Sequence, residues 1–342
     1  MQTKFHRIEQ NLAPYLIAEV GLNHNGSEEL AIQMIESAAK SGAHCVKFQL
    51  YNATEFISKH ARSGDGPAGS LAEFFKQFEL PEDSWKKLAK AADANKVDFL
   101  CSVFDEPSLL FYKELLEQSG HNHHYLKIAS TDLTYHSFLE KAKSMNFDIL
   151  LSTGASNEDE VEKTVALVRP GLIFQCVSSY PANPSDYNLK LIQNWQSKFN
   201  LPVGISDHCE SLYVSLAATA LGASVIERHF TIDQNLDGPD QKLSSTPAQF
   251  QELAKATALI HSGSGDGLKQ STASEEGVRR FGRRSLYYSR NLKAGHLLED
   301  GDLIAKRPGS SLTLHDGYTM IGKTLIKDVG SDEPVDLSDS QK

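Results

Sequence analysis

Eight short apolar runs recur through the first 230 residues, and nearly every one ends in a polar side chain able to do chemistry. Leu16–Val20 carries Glu19, Val46–Leu50 carries Lys47 and Gln49, and Val97–Val103 carries Ser102. Tyr125–Ala129 carries Lys127 and stops at Ser130, and Ile149–Leu151 stops at Ser152. Leu172–Val177 runs into Ser178, Ser179 and Tyr180, and Val203–Ile205 into Ser206, Asp207 and His208. Ser224–Phe230 carries Glu227 and His229. Helical patterns separate the runs. Glu28–Ser41 has an apolar stripe of Leu30, Met34, Ile35 and Ala38, with Ser27 as its N-cap. Asn157 ahead of Glu158-Asp159-Glu160 marks a second helix start, because carboxylates favour the positive end of the helix dipole. Eight strand–helix alternations predict an α/β fold, a (β/α)8 TIM barrel. The carboxyl ends of such strands meet on one face and build the active site there. An open doubly wound sheet would call for G-x-G-x-x-G after the first strand, and G-L-N-H-N-G at 21–26 lacks that spacing.

The barrel reading covers residues 1–262. Residues 263–282, rich in Gly, Ser and charge, read as a linker. Residues 283–342 read as a small β-rich domain with strands at Arg284–Tyr288, Leu303–Lys306 and Thr324–Asp328, and Ser338–Lys342 as a frayed end. Residues 52–80 form a long insertion after the second strand, and Arg62–Ser70 within it reads as a lid or binding loop. A net charge of −10 argues against nucleic acid as a partner. No apolar run reaches the length of a membrane span. The first fourteen residues hold Lys4, His6, Arg7 and Glu9 and read as no signal peptide. Cys45, Cys101, Cys176 and Cys209 match no zinc spacing and read as buried thiols, which places the chain in a reducing compartment, the cytoplasm.

Two constellations carry the chemistry. His208 and His229 sit at the ends of consecutive strands, roughly 4.8 Å apart in a barrel, and suit joint binding of one ion. With oxygen donors around them and no thiolate, the ion is a divalent one such as Mn²⁺ or Mg²⁺. Lys47 and Lys127 each interrupt an apolar run, so each meets an anionic ligand or a carboxylate partner. Ringed by Ser102, Ser130, Ser152, Ser178 and Ser206, they read as a cradle for a multiply charged anion. The plainer reading pairs them with Glu19 and Asp132 and leaves the serines as helix caps. One such lysine could also be the nucleophile of a Schiff-base aldolase. Gln49 and Tyr180 suit hydroxyl recognition, and Glu19 suits proton transfer if burial raises its pKa.

The strings I-A-E-V-G-L-N-H-N-G (17–26), V-K-F-Q (46–49), L-K-I-A-S (126–130), L-S-T-G (151–154), S-S-Y-P (178–181), G-I-S-D-H (204–208), E-R-H-F-T (227–231) and G-P-D (238–240) together resemble the sialic acid synthase family in order and spacing. The tail, from R-R-S-L (283–286) through L-K-A-G (292–295) to K-R-P-G (306–309), resembles that family's antifreeze-like (SAF) domain. The resemblance implies condensation of phosphoenolpyruvate with an N-acetylated amino sugar, N-acetylmannosamine or a 2,4-diacetamido hexose, to a nonulosonic acid and phosphate. It implies that His208 and His229 bind a divalent metal, Mn²⁺ first, with Mg²⁺ or Co²⁺ as alternatives. It implies phosphoenolpyruvate binding by Lys47, Ser102, Lys127, Ser130, Ser152, Ser178 and Ser206. Gln49, Asp132, Tyr180 and Asp240 would contact the sugar, and Glu19 would move a proton. Arg307 would reach the sugar's N-acyl group from the partner chain of a swapped homodimer. The sequence departs from the family at Ser102, where many members have threonine, at Ser178, where some have asparagine, and at Asp132, where many have glutamate. The last two bear on which sugar is used. The competing readings are a Schiff-base aldolase using Lys127 or Lys47, and a non-catalytic sugar-binding protein.

Overall fold

The computed structural model describes residues 4–7, 10–61, 71–119, 124–309 and 312–341. The expected loop Arg62–Ser70 lies outside the described residues, and so does Lys342. The chain divides into two compact units, residues 1–265 and 266–342.

Among the described residues of the first unit, eight parallel strands close into a barrel in chain order. They are β1 (Tyr15–Gly21), β2 (Cys45–Leu50), β3 (Asp98–Val103), β4 (Tyr125–Ile128), β5 (Asp148–Ser152), β6 (Leu172–Cys176), β7 (Val203–Asp207) and β8 (Val225–His229). Each matches a run read from the sequence. The intervening helices are α1 (Glu28–Lys40), then α4 (Glu82–Ala94), α5 (Glu106–Gln118), α6 (His136–Ser144), α7 (Glu158–Val168), α8 (Leu191–Phe199), α9 (Tyr213–Ala220) and α10 (Pro247–Ser264). Ser27 caps α1 through the Leu30 amide, and Asn157 and Glu160 form a reciprocal capping box on α7. Two short helices, α2 (Ala53–Phe56) and α3 (Leu71–Lys76), lie in the insertion read as loop. Pieces of four and six residues are too short to show a helical period.

Side chains alternate across each strand, so every strand has an inner and an outer face. The outer residues Leu16, Ala18, Val46, Phe48, Ile173 and Ile226 pack against the helices in the main core. The inner residues fall into two layers. Tyr15, Ile17, Leu100, Tyr125, Leu150, Phe174 and Val225 fill the amino-terminal half of the cylinder. Phe5 stands edge-on to Tyr15 and Tyr125 there, with centroids 5.5 and 4.9 Å away. Two residues further along, the inner positions of β1, β3, β4, β5 and β8 turn polar, at Glu19, Ser102, Lys127, Ser152 and Glu227. The register sets Glu19 beside Lys47 and His229, Ser102 beside Lys127, and Ser206 beside Glu227. A dry, packed floor thus carries a polar ceiling.

The second unit holds an antiparallel pair, β9 (Ser285–Tyr288) with β10 (Leu303–Lys306), and a second, β11 (Thr324–Leu325) with β12 (Ser340–Gln341). Leu286, Tyr288, Leu298, Met320 and Leu325 make its core. Two expectations are corrected here. The stretch 263–282 is not featureless linker, since α10 runs on to Ser264 and a further helix, α11, spans Glu276–Gly282. The end is not frayed through to Gln341, because β12 pairs with β11 and the Asp339 carboxylate accepts from the Tyr288 hydroxyl at 3.1 Å. A short helix, α12 (Leu314–Tyr318), completes the unit.

Candidate active site

A cavity of about 510 Å³ opens at the carboxyl ends of the strands. Its lining includes Glu19, Lys47, Gln49, Ser102, Lys127, Ser130, Asp132, Ser152, Ser178, Tyr180, Ser206, His208 and His229, all expected from the sequence. Asp240 lies just outside this lining, with a carboxylate oxygen 3.7 Å from His229 Nδ1. Arg307 belongs to the second unit, exposed, immediately after β10.

The two lysines lie at the centre of a charge network. Lys47 Nζ is 2.7 Å from Glu19 Oε2 and donates to Ser102 Oγ at 3.1 Å. Lys127 Nζ donates to Ser152 Oγ at 2.6 Å and to Glu227 Oε1 at 3.3 Å, and lies 4.8 Å from the centre of the Phe174 ring. The same Glu227 oxygen accepts from Ser206 Oγ at 2.9 Å and lies 3.7 Å from Lys47 Nζ. Glu227 is thus the anion both lysines share. The plainer reading of the lysines was half right: Lys47 does pair with Glu19, but Lys127 pairs with Glu227 and not with Asp132. All four charged side chains are at least 95% buried.

These neighbours set the protonation states. Burial alone would raise the Glu227 carboxyl, but Lys127 and Lys47 outweigh it and hold the group down at about 2. Burial pulls the Lys127 ammonium below its ordinary value, and Glu227 restores only part of the loss. For Lys47 the balance is reversed, since Glu19 and Glu227 together overcome burial and raise it. Burial pushes the Asp132 carboxyl up to about 6, and its Oδ2 is enclosed without a hydrogen-bond partner.

His208 and His229 face each other with ring centroids 5.4 Å apart. His208 Nδ1 lies 2.7 Å from the Val177 carbonyl, which can only accept, so this nitrogen carries the hydrogen and Nε2 keeps its lone pair. Burial, with His229 beside it, lowers the His208 pKa to about 3, so the ring is neutral at physiological pH. His229 Nδ1 is buried and has no hydrogen-bond partner. Tyr180 lies against both rings, 4.2 Å from His208 and 5.8 Å from His229 between centroids. Among the described residues no group of three or more His, Cys, Asp and Glu side chains gathers to hold a metal ion by itself. Two imidazoles would leave most of a divalent ion's shell to water and substrate oxygens.

The loops finish the site. Gly154 Cα fits between Ser130 and Ser178, and a Cβ there would overlap both hydroxyls. The Gly154 amide donates to Ser130 Oγ at 2.9 Å. Ser130 and Ser178 therefore flank Gly154, apart from the Ser102–Ser152–Ser206 set that touches Lys47, Lys127 and Glu227. Outside the barrel wall, Asp207 and Arg228 form a buried ion pair in the same register as Ser206 and Glu227. Asp207 also accepts from the Tyr187 hydroxyl at 2.9 Å, and that hydroxyl accepts from the His208 amide at 2.7 Å. This network anchors the β7 end that presents His208.

Sequence reasoning missed Glu227 as a site residue. The signal was present: Glu227 precedes His229 by two positions on a strand, so both face inward. It also missed the aromatic side of the cavity, where Tyr51, Phe56, Ile57, Leu71, Phe75 and Phe104 line the wall.

Comparison with known proteins agrees over nearly the whole chain. The NeuB family matches residues 34–269 and the SAF domain matches residues 283–339. An N,N'-diacetyllegionaminic acid synthase of Campylobacter jejuni is 35% identical over 331 residues, covering 93% of this chain and 97% of the relative. An N-acetylneuraminate-9-phosphate synthase of Drosophila melanogaster is 33% identical over 365 residues, covering 94% of each. The crystal structure of N-acetylneuraminic acid synthetase from Leptospira borgpetersenii serovar Hardjo-bovis, in complex with citrate, superposes with a TM-score of 0.70 at 34% identity, over 78% of this chain and 90% of that one.

Proposed function

Since the chain belongs to the NeuB family and ends in a SAF domain, we propose that it condenses phosphoenolpyruvate with the open aldehyde form of an N-acetylated amino sugar, giving a nonulosonic acid and phosphate. C3 of phosphoenolpyruvate attacks the aldehyde carbon. Water adds to C2, and the tetrahedral centre collapses to the 2-keto acid with cleavage of the C2–O bond, which releases phosphate. The observation that carries this reading is the pair of buried lysines with Ser102, Ser152 and Ser206, sharing one cavity with two facing imidazoles.

Lys47, Lys127, Ser102, Ser152 and Ser206, together with Ser130 and Ser178, hold the phosphate and carboxylate of phosphoenolpyruvate. Gln49, Asp132, Tyr180 and Asp240 contact the sugar. Glu19, 2.7 Å from Lys47 and 3.4 Å from the Gln49 amide nitrogen, moves a proton between the reacting groups. The formal charges of Lys47 and Lys127 are cancelled by Glu19 and Glu227, so a multiply anionic substrate needs further positive charge to bind. His208, whose Nε2 keeps its lone pair and lies 3.5 Å from Ser206 Oγ, and His229, with its orphaned, buried Nδ1, fit a divalent ion, Mn²⁺ first and Mg²⁺ or Co²⁺ as alternatives. Bound there, the ion would polarise the sugar aldehyde. Arg307 reaches the sugar's N-acyl group from the partner chain of a swapped homodimer, a proposal that rests on the SAF domain resemblance. Four free, buried cysteines suit a cytoplasmic setting, and among the described residues no helix is long and apolar enough to cross a membrane.

Phosphate release is the test. Mixing the protein with phosphoenolpyruvate, Mn²⁺ and N-acetylmannosamine or a 2,4-diacetamido hexose should liberate phosphate, and chelation should stop it. One observation favours a second reading: burial lowers the Lys127 ammonium towards the amine a Schiff base requires. Borohydride trapping of a pyruvate adduct on Lys127, without metal dependence, would select the aldolase.

A further inference from the structure

The loop that carries Asp240 is braced by a buried network that has no part in the reaction above. The chain leaves the barrel after β8, where the Phe230 amide donates to the Glu19 carbonyl at 2.8 Å. It returns at Ser245, whose amide donates to the His229 carbonyl at 2.7 Å, while the Thr231 amide donates to the Ser245 carbonyl at 3.0 Å. Residues 232–243 are therefore an excursion with a closed neck, and they bring an Asp240 carboxylate oxygen to 3.7 Å from His229 Nδ1.

Asn23, Thr231, Gln241 and Ser244 hold this excursion, and none is more than 1% exposed. Asn23 Nδ2 donates to the Phe230 carbonyl at 2.9 Å and to Ser244 Oγ at 2.8 Å. Ser244 Oγ gives its own hydrogen to the Asp240 carbonyl at 2.6 Å. Gln241 Nε2 donates to the Asn23 carbonyl at 2.9 Å, and Gln241 Oε1 accepts from the Thr231 hydroxyl. Both amide orientations are fixed, because the Phe230 and Asn23 carbonyls can only accept. The adjoining turn fits the same frame. Asn25 Nδ2 donates to the Asp237 carbonyl at 2.6 Å, and a Cβ on Gly238, at φ +148°, would stand 2.8 Å from Asn25 Oδ1.

Such a network is better suited to fixing a position than to adding stability. Asn23 Oδ1 is enclosed with no hydrogen-bond partner among the described residues, and a buried oxygen left unpaired is destabilising. Apolar packing would bury the same loop without that loss, but only directional bonds fix its register. The bonds converge on the backbone of Asp240 and on its neighbour Gln241.

We infer that Asn23, Gln241 and Ser244 are positioning residues, which act on the acceptor sugar through Asp240 by holding that residue in register with His229. The inference rests on the synthase reading, with Asp240 as a sugar contact. A network that merely stabilised the loop would lower activity independently of Asp240, so the deciding readout is a double-mutant cycle.

The experiment measures kcat/KM for the amino sugar by phosphate release, with saturating phosphoenolpyruvate and Mn²⁺. Ser244→Ala and Gln241→Met are each made alone and together with Asp240→Ala, and calorimetry gives the Kd of each protein for phosphoenolpyruvate alone. A hydrogen bond to a charged group is worth roughly 10–100-fold, so Asp240→Ala should lower kcat/KM by about that factor. Ser244→Ala and Gln241→Met should each lower it by about three- to tenfold, as expected of a misplaced contact. In the Asp240→Ala background the same changes should cost less than about twofold, because the group they position is gone. The Kd for phosphoenolpyruvate should stay within about twofold throughout. Ser244→Ala removes a single oxygen, so it keeps the test open if Gln241→Met does not fold. Equal losses in both backgrounds, a matching loss of phosphoenolpyruvate affinity, or single variants as active as the wild type would overturn this inference alone. A wild type that releases no phosphate with N-acetylmannosamine or with a 2,4-diacetamido hexose would sink the synthase reading and this inference with it.

Discussion

Glu227→Gln is the most revealing single change, because Glu227 balances two buried ammonium groups at once. The substitution keeps the shape and an oxygen to accept from Ser206, but removes the charge. Lys47 retains Glu19 at 2.7 Å, whereas Lys127 loses its only ion-pair partner among the described residues, at 3.3 Å. At an effective dielectric constant of about 20 that contact is worth roughly 5 kcal/mol before solvation is counted. Measured costs of breaking a buried pair run at about 3–5 kcal/mol, and the surviving hydrogen bonds favour the lower end. A loss of about 3 kcal/mol should lower the barrel's melting temperature by roughly 6–12 °C. Calorimetry with and without phosphoenolpyruvate tests the reasoning in two ways. The melting temperature of the free variant should fall by that amount. The bound anion should then restore more to the variant than it adds to the wild type, because it supplies the negative charge Lys127 lacks. A fall of less than about 2 °C, or equal ligand-induced shifts in both proteins, would refute the charge-balance account.

Three further outcomes follow from the same geometry. Asp132→Asn should stabilise the protein at pH 7 by about 1 kcal/mol after allowing for partial exposure; the folded carboxyl, raised to about 6, binds its proton more tightly than the unfolded one near 4, so the wild type loses stability as pH rises between these values. Melting curves of both proteins should converge below about pH 4 and stay separated above pH 6, and parallel curves throughout would contradict the assignment. His229→Ala should abolish both Mn²⁺-dependent phosphate release and the melting shift produced by Mn²⁺ alone, and an active variant would remove the metal role. Mixing inactive His229→Ala and Arg307→Ala chains after dissociation should recover about a quarter of wild-type activity if sites are shared between subunits, since half the dimers then hold one intact site; no recovery, or a fully active Arg307→Ala protein, would refute the swap.

Much of this site can be read in the chain because barrel strands impose a period of two and a common polarity. Lys47, Lys127, His208 and His229 stand out as polar interruptions of apolar runs, and the fold brings them to one end. Glu227 obeys the same rule, two residues ahead of His229 on β8, although its sharing by two lysines depends on β2 and β4 as well. Arg228 in fact points outward to Asp207, a pairing that depends on the register between β7 and β8 and leaves no mark in either strand alone. Ser130 and Ser178 were expected on the lysines, yet they flank Gly154, a placement set by loop paths with no local period. The aromatic wall was hidden for a related reason, since Phe56 and Phe75 sit on helices too short to show a period, and Phe56 meets Phe104 through the pairing of β2 with β3.

The central claim is that one cavity joins phosphoenolpyruvate to a sugar aldehyde by a metal-dependent route that breaks the bond between C2 and its oxygen. Phosphoenolpyruvate carrying ¹⁸O in the bridging position tests it most directly. With Mn²⁺ and the amino sugar present, mass spectrometry should find the label in the released phosphate, and none should be released once the ion is chelated. Label retained in the sugar acid, or release that ignores the metal, would contradict the account.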